Sequence, residues 1–501
     1  MSAPSIALNR FGLGARPDDV SPGSSVDAGQ RWLTAQFDRF DQRPAPIAAL
    51  PGRRVIAGQL ADYLAGPRPM GPNSPRRVAA TPQMAMAEPD MAASAMRPEA
   101  PEGSAEPEPI RRARMFLRTQ ARENYVACVG ARANAALVTT APFVERMVHF
   151  WANHFAVSAD KLTVIGLAGY LELEAIRPHV LGRFRDMLNA VERHPAMLLY
   201  LDQAQSIGPA SPIGARVAAR GVRKVGINEN LAREIMELHT LGVRTGYAQA
   251  DVTEFARAMT GWTVAGINRG PIARFAGING APGDFVFAAP IHEPGPKTIM
   301  GKRYAQDGEA QAQAVLDDLA VHPATAQHIA TKLARHFAGD VPPPALVARL
   351  KAAFLQSGGD LPTLYRALIA SPELWGAAPT KFRSPWEWSI AALRATGARD
   401  APAQQVTGLT NQLGQPTWRP GSPAGFDDLT ATWAGADAVL RRVEAAERFA
   451  TRAGGNVDAR ALATRLFPGG LSASTQAAIA NVDSAGQALA LLLVSPEFMR
   501  R

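Results

Sequence analysis

From Ile110 almost to its end the chain keeps one rhythm, with apolar residues recurring three and four positions apart in runs closed by helix-stopping residues. That rhythm points to a helical fold. HPATAQHIATKLARHFAG places Pro323 at a first helical position, where its missing N–H costs nothing, and Gly339 just past the last one. ASPELW (370–375) and VSPEFM (494–499) each set Ser-Pro-Glu after an apolar helix, as a capping serine with proline behind it, and the echo hints at a repeated helical unit. RWLTAQFDRF and IAGQLADYLAG share the spacing, so residues 1–65 read as an N-terminal helical cap. Two stretches interrupt the pattern. Pro67 to Pro109 is rich in Pro, Ala, Met and Glu and has no aromatic residue, which predicts a disordered insertion over 66–109. FVFAAPIHEPGPKTIMGKRY, Phe285 to Tyr304, flanks Glu-Pro-Gly-Pro with two extended runs, which predicts a β-hairpin or loop within 271–305. The expected fold is all-α: a multi-helix globular body with a central helical region over 110–270, that small insertion, and a C-terminal helical region over 306–501.

A chain of 501 residues that is 47% hydrophobic can bury a large core, as roughly two to four domains or one composite body. No run approaches the ~18 consecutive apolar residues of a membrane span. MSAPSIALNRFGLGARP lacks a charged segment, an apolar core and a small-residue cleavage site, so no signal peptide is expected and the cytoplasm is the default compartment. Cys128 is the only cysteine, which excludes an intramolecular disulfide and any multi-cysteine metal site. The net charge of +9 raises the question of nucleic acid. Only 7 of the 53 basic residues are lysine, and no aromatic residues interleave with Arg53-Arg54, Arg76-Arg77 or Arg111-Arg112 as a stacking platform would require, so nucleic-acid binding is not expected.

The densest polar motif is NENLAREIMELHTLGV, Asn228 to Val243. At ~100° per residue, Leu231, Ile235, Leu238 and Gly242 form the core-facing stripe, while Asn230, Glu234 and Glu237 form a second stripe beside it. His239 falls on the opposite flank from Glu237, so an unbroken helix cannot chelate one ion with both. An ordinary structural reading exists: Asn228 or Asn230 caps the helix, the glutamates favour its positive end, and Gly242 terminates it. It leaves unexplained why two carboxylates border the apolar stripe, where they repel unless a cation or proton lies between them. The preceding helix, APFVERMVHFWANHFAV, offers Glu145, His149 and Asn153 on one face, with His154 roughly 140° from His149. In YAQADVTEFARAMTGW, Asp251 with Glu254 reads as a capping box and Gly261 as the stop. The Pro-Gly-Pro segment adds His292 and Lys297.

LNRFGLGARP, FWANHFAV, NENLAREIMELHTLGV, DVTEFARAMTGW, HEPGPKTIMGKRY and LLLVSPEFMRR, in this order, resemble the bacterial family catalogued as domain of unknown function 1800, over nearly the whole chain. The resemblance implies a largely helical protein of about this length, encoded beside an exported alkaline-phosphatase-like or sulfatase-like family. Co-export with such a partner is therefore an alternative to the default compartment.

Three classes of function follow. One is a hydrolase-like enzyme in which Glu234, Glu237, His292 and Lys297 are the catalytic candidates and His149, His154 and His239 the metal-ligand candidates for a divalent ion such as Zn, Fe or Mn. Another is a partner protein for the neighbouring sulfatase- or phosphatase-like protein. The third is a structural helical domain whose buried polar network fixes helix register. The sequence contains no G-x-S-x-G, H-E-x-x-H, P-loop or dinucleotide-binding pattern that would favour a particular chemistry.

Overall fold

The computed structural model describes residues 1–65, 111, 115–221, 226–267, 271–376, 378, 381–453 and 457–501. The insertion expected over 66–109 lies outside the described residues. As the periodicity predicts, the chain is all-α, with two two-stranded antiparallel sheets among the described residues. The elements that position the site are α1 (Arg122–Val138), α2 (Pro142–His154), α3 (Phe184–Glu192) and α4 (Asn230–Glu234, continued as a wider π-type turn over Ile235–His239). They continue with α5 (Gln249–Met259), β1 (Trp262–Val264), β2 (Phe285–Phe287), β3 (Lys297–Ile299), β4 (Lys302–Tyr304), α6 (Pro323–Ala338), α7 (Pro385–Ala395), α8 (Ala436–Ala453) and α9 (Ala485–Val494).

Helix ends follow the residues that announced them, with instructive exceptions. Pro323 opens α6 and Gly339 closes it, while the His322 side chain accepts from the Ala324 N–H. Ser495 caps the short helix that follows it by accepting from Phe498 N at 3.2 Å. Its counterpart Ser371 does not cap: its hydroxyl donates back to Ala367 O at 2.7 Å and accepts from Arg349. Asp251 is not the cap of α5 but its third residue, reaching back to accept from Ala248 N at 2.7 Å and holding Met300 N at 2.7 Å.

The expected hairpin resolves into two ladders. Phe285–Phe287 pairs with Trp262–Val264, and the hairpin proper joins Lys297–Ile299 to Lys302–Tyr304. Met300 and Gly301 both have positive φ, 49° and 76°, the left-handed pair that a two-residue hairpin turn requires. The three prolines at 290, 294 and 296 cannot donate to a ladder, which is why the first extended run seeks another partner.

Burial divides into two main cores. One draws Ile6, Leu33, Ile56, Phe143, Trp151 and Leu333 together, and the other gathers Trp388, Leu413, Leu462, Leu489 and Phe498 around α8 and α9. Helix α7 serves both. Its Trp386, Ile390 and Leu393 face the first core, and its Trp388, Ala391, Ala392 and Ala395 face the second. Two of the buried tryptophans satisfy their indole N–H groups, Trp151 on Tyr365 Oη at 2.7 Å and Trp388 on Leu493 O at 2.9 Å, whereas Trp262 Nε1 is buried without a partner among the described residues. None of the helices among the described residues is long and apolar enough to cross a membrane.

Candidate functional site

A cavity of about 320 Å³ lies where α2, α6 and the start of α7 meet the loop 415–428. Helix α2 turns Arg146, His149, Phe150, Asn153 and His154 towards it, and α6 contributes His328, Lys332, Arg335 and His336. Those four recur at i, i+4, i+7 and i+8, so HIATKLARH carries a polar stripe beside its buried apolar face. Although His149 and His154 are separated around the helix, both reach the cavity because α2 ends at His154 and the chain turns away at Phe155.

The loop is held from below. The Asn153 side chain donates to Phe426 O and accepts from Phe426 N, both at 2.8 Å. Gly425 passes so close that a Cβ there would sit 2.2 Å from Asn153 O, and its φ of +84° favours glycine again. Trp418 holds a left-handed φ of 50°, a costly state for an aromatic residue, with its Nε1 donating to Glu172 Oε2 at 3.0 Å and its carbonyl accepting from Ala159 N.

Charge around the cavity is matched almost group by group. Glu387, in the first turn of α7, pairs with Arg146 and, at 2.8 Å, with Arg501. Burial alone would raise its pKa, but Arg501, Arg146 and His336 together hold the carboxyl well below its usual range. Asp428 meets His336 Nδ1 at 3.0 Å and Lys381 Nζ at 3.1 Å, and these partners together with Arg501 outweigh burial to keep it ionised. Arg132 pairs with Glu172 at 2.8 Å and lies over the Trp386 ring, 4.1 Å from its centroid. Asp427 sits on the rim, exposed, 3.3 Å from Thr432 Oγ1.

The histidines are neutral bases here. Burial lowers His149, His154 and His336, and it takes His328 down to about 4 with Lys332 adding to the effect. Two cations remain unmatched. The side chains of Lys332 and Arg335 form no hydrogen bond or ion pair with any described residue, and Arg335 Nε is buried without a partner. Burial pushes the Lys332 ammonium down to about 8, partly offset by Asp428, with Arg335 lowering it further.

The expected site residues distribute themselves differently. His149 and His154 line the cavity. Trp386 Nε1 donates to His149 Nδ1 at 3.2 Å, which leaves the proton of the neutral ring on Nε2, 3.6 Å from Glu145 Oε1. Glu145 itself is taken by Arg177 at 2.6 Å. His154 Nε2 donates to His239 O at 3.1 Å and His328 Nε2 to Leu238 O at 3.0 Å, so two histidines cap the carbonyls at the end of α4 that no further turn satisfies. His239 is fully buried, with Nδ1 on Glu192 Oε1 at 2.8 Å. The π-type turn over Ile235–His239 widens the helix and alters the angles that an ideal 100° step assigns.

Glu234 and Glu237 do not line the cavity and do not meet His149 there. Glu237 lies 3.7 Å from Arg233, whereas Glu234 is half-buried with its pKa raised by burial. His292 and Lys297 stand apart too. His292 Nδ1 donates to Thr260 O at 2.7 Å, and Lys297 Nζ donates to the carbonyls of Glu293, Pro294 and Gly295 at 2.9, 3.1 and 2.5 Å, closing its own turn. Among the described residues, no three His, Cys, Asp or Glu side chains come close enough to share a metal ion.

The motifs of the N-terminal stretch work from behind the wall. Arg146 donates to Gly12 O at 2.8 Å, Arg394 to Gly14 O at 2.9 Å, and Leu13 faces the cavity. No curated protein and no solved structure matches the chain. The model of a protein family of unknown function, DUF1800, matches residues 6–500, and the chain belongs to that family.

Proposed function

We propose that the chain is an enzyme whose substrate is a small molecule bearing an oxyanion, held in the cavity between α2, α6 and α7. One observation carries the reading: in a wall where each buried carboxylate has its cation, Lys332 and Arg335 are left facing the cavity without an anion. Two uncompensated cations in a partly desolvated site attract an anion more strongly than they would in water. Trp386 and Phe426 offer apolar surface for the rest of the ligand, and a space of this size corresponds to about ten waters or a compact organic acid. Neutral histidines beside the cations are suited to accept and return protons.

Calorimetric titration tests this with benzoate and phenyl phosphate against neutral benzyl alcohol. Binding of the anions, weakened about tenfold or more in Arg335→Gln, supports the reading. Equal binding of neutral and anionic probes, or no loss in the variant, refutes it.

A second role concerns the polar residues that do not reach the cavity. His239 on Glu192, Glu145 on Arg177, and the two histidines on the α4 carbonyls support a buried network that sets the register of α2, α3, α4 and α6.

A further inference from the structure

We infer that Lys332 is an imine-forming residue, whose Nζ adds to the carbonyl carbon of a small oxo acid while Arg335 holds that acid's carboxylate. The inference rests on the cavity being an oxyanion site and names its substrate class.

The placement on α6 is the first reason. Lys332 and Arg335 are three residues apart on one helix face, where Cβ atoms stand about 5–6 Å from each other. Two long side chains rising from that spacing converge on neighbouring carbons of one ligand, such as the carbonyl and carboxylate of a 2-oxo or 3-oxo acid. The second reason is what surrounds the amine. A lysine becomes a nucleophile when it loses its counter-ion and stands in a desolvated site beside another cation. Lys332 fits that description: no carboxylate lies within ion-pair distance, Arg335 is on the next turn, and His328 one turn earlier is neutral. Asp428, the nearest acidic influence, is already held by His336 and Lys381. The lowered ammonium pKa of about 8 agrees with this placement, leaving a useful fraction of free amine near neutral pH.

The step balances without a co-reactant. The Nζ lone pair forms a C–N bond as the carbonyl π electrons move to oxygen. That oxygen takes up two protons, one released when the ammonium became the free amine and one from the nitrogen after the C–N bond forms, and it leaves as water when the C=N bond closes to a protonated imine. His328, whose Nε2 is fixed on Leu238 O, keeps its Nδ1 lone pair for proton passage.

Reductive trapping reads the imine directly. The whole protein is incubated with pyruvate, acetoacetate or acetone, reduced with sodium cyanoborohydride, digested, and each lysine's modification is measured by mass spectrometry. With the oxo acids, Lys332 should be labelled at least about tenfold faster than the exposed Lys302, and Arg335→Gln should lower its rate with pyruvate to that seen with acetone. Lys332→Arg keeps the charge and should lose the label while retaining its melting temperature. Labelling spread evenly over the lysines, with benzoate still bound, overturns the imine and leaves the oxyanion site standing. Failure of benzoate to bind the wild type overturns both.

Discussion

Glu387→Gln is the most informative single change for the architecture of the cavity wall. The carboxylate is the shared anion of Arg146 and Arg501, whose side chains are 3% and 0% exposed, and its other oxygen accepts from Ser384 N at 2.9 Å. Glutamine keeps the volume and an acceptor for the cap but leaves two buried guanidinium groups without a counter-charge, a loss of about 3–5 kcal/mol. For a cooperative unit of roughly 400 residues this lowers the melting temperature by about 4–6 °C. The pH dependence follows in sign. The carboxyl is held below its unfolded value, so its contribution is full above about pH 5 and drains away as pH falls from there towards the lower folded pKa. Protonated glutamate resembles glutamine, so the two proteins should approach each other in acid. Scanning calorimetry of both from pH 7 to pH 3 checks this. A gap below about 1 °C at pH 7, or one that stays constant into acid, refutes the assignment of Glu387 as the charge that holds the wall together.

Three further outcomes are expected. Burial raises Glu234 and neighbouring Glu237 adds to it against His239, so ionising Glu234 costs the fold stability as pH rises past the usual carboxylate range; Glu234→Gln should melt at or above the wild-type temperature at pH 7, and a clear drop would mean that the carboxylate has a partner. Lys297→Met strands three carbonyls at about 1–3 kcal/mol each at most, and hydrogen exchange should quicken in β3 and β4 while benzoate binding stays as it was. Gly425→Ala drives a Cβ into Asn153 O, so benzoate affinity should fall several-fold while the α8 and α9 amides keep their protection, and unchanged affinity would show that this loop does not shape the cavity.

Helical periodicity carried the fold because it reports local geometry: α2, α5 and α6 appear where apolar spacing and Pro or Gly punctuation placed them. The candidate site was half legible. His149 and His154 drew notice as polar residues among aromatics, and the cavity includes both. HIATKLARHFAG, read only for its helix ends, held the decisive pair, since a polar stripe on a helix looks the same whether it meets water or a cavity. Glu387 was hidden in a capping box, a local motif that also serves distant arginines. The glutamates of NENLAREIMELHTLGV attracted attention for lying at a core edge, but which partner meets an edge depends on packing between helices far apart in sequence. Nor does periodicity foresee that α4 widens before His239.

The grip of Arg146 on Gly12 and of Arg501 on Glu387 brings both extremes of the numbering into one wall. Contacts between segments so far apart bear the largest loop-closure entropy and form late. During synthesis the α2 and α6 stripes therefore exist before the cavity does, with Glu387 and Arg146 in place while Arg501 is still to come. Completion of the cavity wall therefore waits on Arg501, and a chain stalled before that residue would carry its helices but not its chamber.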